Sequence, residues 1–371
     1  MRELALQELE DILVGCAIFG TGGGGSLERG LQTVRQDAAA GKTVRLATLS
    51  DLADATLVVS PYYAGSVSPL SPEQIKAYEH LPRIPDEPPL VAARALAAYL
   101  QAPIGAVLAT ELGGGNTATA LSTAAHLGVP VLDADPAGRA VPELIHSTLY
   151  LGGISITPLA VANQFGDVAV IQKVANDGRA EALVRAMAVV SQNHVGVADH
   201  PAPARDLRGK VVEGAISQAE RVGAALRRAR AEGTDPVAAV CRAGGGYRLF
   251  TGVVSEAWWK DEAGFTVGEI GVRGTGADTG SNYRLRFKNE HMVSWRDGAI
   301  DVTVPDLICL LDARTGEPVL NPAAREGQEV AIIGFPAPAA WRTQKGLAIF
   351  GPGYVGVNRP YTPIEEGRES A

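Results

Sequence analysis

Two carboxylates set two residues apart at the end of an apolar strand face the same side, where they can share a proton, hold a cation or activate a water. Asp133 and Asp135 are such a pair, in Val131-Leu132-Asp133-Ala134-Asp135-Pro136-Ala137-Gly138-Arg139. The Pro136-Ala137-Gly138 turn brings Arg139 back toward them. Upstream, Ala109-Thr110-Glu111-Leu112-Gly113-Gly114-Gly115-Asn116 ends another apolar run with Glu111 and Asn116. Open α/β sheets gather ligand-binding side chains where strands give way to loops. Glu111, Asp133 and Asp135 are therefore the candidates for a base or for metal ligands, with Asn116 and Arg139 as positioning and substrate-binding groups. A plainer reading uses the same residues as scaffolding. Asn116-Thr117 would cap a helix, Arg139 would steady an Asp-Pro turn, and Glu143 would sit in an acidic first turn.

A second loop, Phe19-Gly20-Thr21-Gly22-Gly23-Gly24-Gly25-Ser26, lets the backbone approach something closely. Gly22, Gly23, Gly24 and Gly25 are read as a bend beneath a substrate. The loop lacks the Gly-Lys-Ser/Thr ending of a P-loop, and a helical pattern rather than a strand precedes it, which weakens a nucleotide-binding reading. In the second half, Lys288-Asn289-Glu290-His291 follows a strand pattern. Asn289 and Glu290 either form a hairpin turn or close the site, Glu290 as a catalytic carboxylate and Asn289 as a substrate contact. The histidines include no HExxH, and His194 and His200 lack nearby cysteines, so no metal set is defined. Cys16, Cys241 and Cys309 are far apart and odd in number, which predicts no disulfide framework and a reducing, cytoplasmic setting. Cys16 is expected on the buried face of the first helix.

These residues need elements to position them. Leu6, Leu9, Ile12, Leu13 and Cys16 recur at helical spacing and run into the glycine loop. Strands are expected at 56–60, 104–109 and 129–133, with helices over 89–101 and 117–127, so parallel strands with helical crossovers fill roughly the first 150 residues. Further strands are read at 154–156 and 168–171 and helices near 178–194 and 214–232. From Tyr247 onward, short Val/Ile/Phe-rich runs alternate with turns, with strands near 249–254, 265–272, 283–287, 300–304 and 330–334. The expected architecture is α/β: an N-terminal domain over 1–170 with a mostly parallel sheet and flanking helices, and a domain over 171–371 that is β-rich from about 245. The polar tail from Glu365 to Ala371 is expected to fray.

The chain has 371 residues, 46% of them hydrophobic, enough to bury a large core in two domains. A net charge of −8 opposes a general nucleic-acid role. Arg227-Arg228-Ala229-Arg230 reads as the solvated end of an amphipathic helix. The N-terminus lacks a signal-peptide pattern, and no run of about 18 apolar residues predicts a membrane span.

Several of these motifs carry a resemblance. Gly15-Cys16-Ala17-Ile18-Phe19-Gly20-Thr21-Gly22-Gly23-Gly24-Gly25, the Glu111–Asn116 loop and the stretch from Asp133 to Glu143 resemble the DUF917 family, also called S-methyl thiohydantoin desulfurase-like. Asn289-Glu290, Pro305-Asp306-Leu307-Ile308, Thr315-Gly316-Glu317-Pro318 and Gly351-Pro352 resemble its C-terminal motifs in the same order. Ser26 departs from the acidic residue that commonly follows the family's last glycine. The resemblance implies two domains and a role in thiohydantoin, hydantoin and related cyclic-amide metabolism, in related cases with a divalent metal such as zinc. It carries no ligand list onto this chain. The leading expectation is a hydrolase in which water attacks C2 of a thiohydantoin or its S-methyl form and releases sulfide or methanethiol. The alternatives are an accessory subunit of a hydantoinase/oxoprolinase-type partner and a nucleotide-binding regulator. A homo-oligomer is expected, as for many soluble enzymes.

Overall fold

Alternating apolar runs and glycine-rich breaks fold the first half around one sheet. The computed structural model describes residues 1–65, 72–366 and 368, with no account of the Gln74 side chain. Strands β1 (Arg2–Glu3), β2 (Arg45–Ala47), β3 (Leu57–Gly65), β4 (Ala106–Val107), β5 (Val131–Leu132), β7 (Leu159–Ala162), β8 (Val168–Ile171) and β9 (His194–Pro203) form an eight-stranded sheet. Its order is β1-β2-β5-β4-β3-β9-β7-β8. The run β2-β5-β4-β3 is parallel, as the expected crossovers require, and β9, β7 and β8 extend it antiparallel. This sheet runs past residue 170, because β9 lies at its middle against β3. A two-stranded piece joins β6 (Ala134–Asp135) to β10 (Val212–Glu213).

Helices α1 (Leu6–Phe19), α2 (Leu27–Ala39), α3 (Pro72–Ala77), α4 (Pro88–Leu100), α5 (Gly114–Leu127), α6 (Thr148–Leu151) and α7 (Asp177–Val189) accompany the sheet. Then come α8 (Ala204–Leu207), α9 (Ala215–Glu232) and α10 (Pro236–Gly244). Helix α1 lies directly on α9: a β-carbon at Gly15 would fall on the Ala219 backbone, and one at Gly223 on that of Asp11. Arg227 closes this crossing by donating twice to Asp11, at 2.8 Å each, so this member of the basic run has a partner. All three cysteines are free and buried.

The second half is a seven-stranded antiparallel sheet of order β15-β14-β13-β12-β11-β17-β16. Its strands are β11 (Tyr247–Glu262), β12 (Phe265–Gly274), β13 (Asn282–Lys288), β14 (Glu290–Arg296), β15 (Ala299–Thr303), β16 (Leu307–Asp312) and β17 (Glu329–Phe335), followed by α11 (Gln344–Phe350). Buried Leu307, Cys309, Ala331 and Ile333 join the same core as α1, α9 and α10, so the two halves share a hydrophobic interior.

Some expected elements differ. Residues 154–156 form no strand, and the 104–109 and 129–133 strands shorten to two paired residues each, because their flanks turn immediately into loops. In the tail, Glu365 is held by Arg342 and the Ile364 carbonyl accepts from Arg368 at 2.8 Å; residues 367 and 369–371 lie outside the described residues. Among the described residues no helix is long and apolar enough to cross a membrane.

Candidate functional site

The glycine loop meets another glycine loop. Gly115 and Asn116 amides donate to the Gly24 carbonyl at 3.0 and 3.1 Å, and a β-carbon on Gly24 would lie 2.5 Å from the Gly113 Cα. Gly24 also has a φ of +77°, which disfavours any side chain. Helix α5 therefore begins at Gly114, with Gly113 as its N-cap, three residues earlier than an Asn116 cap would allow. Freed from capping, the Asn116 amide donates to Glu111 Oε1 at 2.8 Å and its oxygen accepts from the Tyr63 amide at 3.3 Å. The Val141 amide donates to Glu111 Oε2 at 2.9 Å. Glu111 is thus oriented through both oxygens. Burial pushes its pKa up to about 7, despite those bonds and the nearby Arg139 charge.

On the other side, a β-carbon at Gly23 would fall inside the Glu290 carboxylate. Glu290 begins β14 just after a sharp reversal at Asn289, whose φ is +59°. Asn289 makes that turn structural: its side chain accepts from the Thr266 amide at 2.9 Å and its carbonyl accepts from Asn321 at 2.8 Å. Glu290 is 3% exposed and its Oε2 has no hydrogen-bond partner. Burial, with the Glu111 charge adding to it, holds its pKa well above the carboxylate range, and Arg139 opposes this. The loop after β4 and the start of β14 thus bring two buried carboxyls, Glu111 and Glu290, within each other's electrostatic reach beside Arg139.

Arg139 does not return to the aspartates. Its Nε donates to the Ala140 carbonyl, Nη1 to the Pro305 and Asp306 carbonyls, and Nη2 to Thr21 Oγ1 and the His291 carbonyl, at 2.9 to 3.2 Å. All five donors of a fully buried guanidinium meet uncharged oxygens. Burial lowers its pKa to about 10, with Glu290 the largest opposing charge. Asp133 and Asp135 likewise part company. Asp133 accepts from the Ser217 amide at 2.8 Å and the Ser217 hydroxyl at 2.6 Å, which satisfies the first turn of α9. Asp135 accepts from the Ala137 and Gly138 amides and shapes the turn. Its burial raises the pKa to about 8. The anticipated shared Asp pair with Arg139 as counter-ion is therefore corrected: helix and turn amides outcompete it.

Around the acidic centre lies a half-buried rim that sequence reasoning largely missed. Lys288 and the Tyr354 hydroxyl both donate to Glu143 Oε1, and Lys288 also reaches the Tyr354 hydroxyl at 2.9 Å. The Lys288 ammonium sits 4.1 Å from the Phe265 ring centre. His146 packs against Phe350 and Tyr354, and burial lowers its pKa to about 3. Glu143 does not begin a helix; the pairing of Lys288 two residues before Glu290 was the available signal. Among the described residues no three His, Cys, Asp or Glu side chains stand together as a set that would hold a metal ion. His194 and His200 do not form one either: His200 is bonded to Asp199, and His194 lies against the Gln192 carbonyl. Among the described residues the site therefore presents no ligand set for the zinc that the resemblance allows.

An α/β domain joined through a shared core to an antiparallel β domain defines the class. Residues 7–173 match the S-Me-THD-like N-terminal domain and residues 175–364 the S-Me-THD-like C-terminal domain, so the chain belongs to the S-Me-THD-like family. A crystal structure of a protein from Chromobacterium violaceum has the same fold, with a TM-score of 0.78 and 23% identity over 98% of this chain and 100% of that one. Among curated proteins none matches.

Proposed function

We propose that this chain is a hydrolase that removes sulfur from a thiohydantoin or S-methyl thiohydantoin ring. Family membership supports a thiohydantoin-related function. The observation that carries the hydrolytic reading is the pair Glu111 and Glu290, two buried carboxyls beside Arg139, both raised above the ordinary carboxylate range by burial, with the Glu111 charge further opposing ionisation of Glu290. Two buried carboxyls that oppose each other's ionisation titrate as a pair, so one can act as base while its neighbour keeps its proton as acid.

C2 of the S-methyl ring is bonded to sulfur and doubly bonded to nitrogen, an electrophile like an amidine carbon. Glu111 takes a proton from water as the water oxygen bonds to C2, and Glu290 gives its proton to the ring nitrogen. The tetrahedral carbon then re-forms its carbonyl, the C2–S bond breaks, and methanethiolate leaves. The remaining hydroxyl proton returns to the Glu290 carboxylate, and the proton held by Glu111 passes to the thiolate. Water thereby supplies the carbonyl oxygen of hydantoin, one hydrogen to the ring nitrogen and one to the thiol. Asn116 and the Val141 amide hold Glu111 in place while leaving it a free lone pair. Arg139 favours ionisation of both carboxyls and touches no substrate, and Gly23 leaves room for Glu290.

The test is turnover by purified chain in ¹⁸O-labelled water. Methanethiol release with one ¹⁸O in the hydantoin is expected. Glu111→Gln and Glu290→Gln each lower kcat by roughly 10²–10⁴-fold, the usual contribution of a positioned acid or base. Absence of turnover on both ring forms by the folded wild type would overturn the reading.

A further inference from the structure

The β11 arm of the β11–β12 hairpin runs beyond β17, its neighbour on the outer side, while β12 stays paired with β13 as far as Val267 opposite Lys288. On one side β11 pairs with β12 throughout, from Gly252 opposite Gly274 to Glu262 opposite Phe265. On the other side its partner β17 ends at Val253 opposite Glu329, and Val254 is covered by the loop carrying Gly327 and Gln328. From Ser255 to Glu262 every residue of β11 is exposed, and among the described residues no strand pairs with that outer edge. Trp258 and Trp259 lie in this stretch, 48% and 46% exposed. Neighbouring strand residues point to opposite faces, so each face of the arm presents an indole to solvent. The arm is anchored: Arg185 of α7 donates to the Gly264 carbonyl at its tip and stacks on Phe265.

An open edge of this length with large apolar residues is a template for another strand. Its sequence selects the occupant. If the edge meets its own copy antiparallel, centred on Trp258, each Glu256 stands opposite Lys260 of the second copy, and the two Trp258 side chains face each other on the same side. On the other side Trp259 lies over Ala257 of the second copy, a large residue against a small one. A register centred on Trp259 instead opposes acid to acid, Glu256 to Glu262. Directly opposed unlike charges and aromatic pairs favour a register, and opposed like charges disfavour it. Lys260 already leans along its own strand to Glu262 at 2.5 Å on the exposed face, within reach of an exchange of partners.

We propose that two copies of this chain associate through the outer edge of β11, antiparallel about a twofold axis at Trp258, with Glu256 and Lys260 paired reciprocally. The proposal is independent of the chemistry assigned to Glu111 and Glu290. It is tested on the full chain by light scattering after size exclusion and by sedimentation velocity between 1 and 100 µM. The wild type is expected to be a dimer. Glu256→Lys opposes lysines, Lys260→Glu opposes glutamates, and each variant alone sediments as a monomer at least tenfold above the wild-type dissociation range. Mixing the two restores dimers, because the edge that carries lysine at both positions then faces the edge that carries glutamate at both. Circular dichroism confirms that both variants are folded. A monomeric wild type at 100 µM, dimers that survive both charge reversals, or variants that fail to recombine would each overturn the proposal.

Discussion

Gly23 and Glu290 occupy the same small space: the missing side chain of one is where the carboxylate of the other lies. The backbone at Gly23 is not left-handed, unlike that at Gly22, Gly24 and Gly25. Gly23→Ala therefore need not strain the loop, but it forces the Glu290 side chain aside. The expected result is a modest loss of stability with roughly 10²-fold lower kcat, the scale of a misplacement of about 1 Å in an active site. Gly24→Ala meets backbone at Gly113 and strains a φ of +77°, so it is expected to cost stability first. Melting curves beside turnover separate the two, and equal behaviour would contradict the distinction.

The pH dependence follows from buried acids whose pKa values rise on folding, Glu111 to about 7, Asp135 to about 8 and Glu290 well above the carboxylate range. An acid with a raised folded value contributes stability that is full below its unfolded value near 4 and is lost as pH climbs through the folded one. The wild type is expected to lose stability between about pH 5 and pH 8.5. Glu111→Gln removes part of that slope, on the order of 2 kcal/mol at the alkaline end. Chemical denaturation at several pH values measures this. If Glu111 is the base, kcat/KM of the wild type also rises with pH through about 7.

Asp133 is expected to matter for folding and little for chemistry. Both of its oxygens serve Ser217 in the first turn of α9. Asp133→Ala should cost about 1–2 kcal/mol, as loss of a helix-capping side chain does, and leave kcat within about twofold of wild type. Ser217→Ala combined with Asp133→Ala should cost less than the sum of the two, since they remove one interaction. A collapse of kcat with an unchanged melting temperature would return Asp133 to the chemistry.

Much of this was legible because the governing forces were local. The helix at 6–19, the crossovers and the β-rich second half follow from periodicity and glycine punctuation, and the loops at 111–116 and 133–139 do lie at strand ends. What escaped was choice among partners. Asp133 and Asp135 are two apart, as a cooperating pair would be, yet Asp133 ends on an amide 84 residues later, in a helix whose docking no local pattern reveals. Arg139 follows two aspartates, yet its donors meet carbonyls from residues 291, 305 and 306, a long-range packing outcome. The Lys288–Glu143–Tyr354 rim joins three distant stretches for the same reason. Glycine runs announced a close approach, and only the fold disclosed that its objects are Gly113, Gly115 and Glu290.

Arg139 separates a structural from an electrostatic contribution. Replacing it by Met removes the guanidinium donors from five oxygens on four segments, and a loss of about 3–5 kcal/mol is expected from breaking a buried charged network. Arg139→Lys keeps the charge but cannot span those oxygens, because an ammonium lacks the planar fork, so it too should be destabilised. The two diverge in their pH profiles. The Arg139 charge lowers the pKa of both Glu111 and Glu290. Its removal in Arg139→Met raises them further, and the rise of kcat/KM moves to higher pH than in the wild type. Arg139→Lys holds that limb near its wild-type position while losing stability. Profiles that shift equally in both variants would mean that Arg139 acts only through the backbone it clamps.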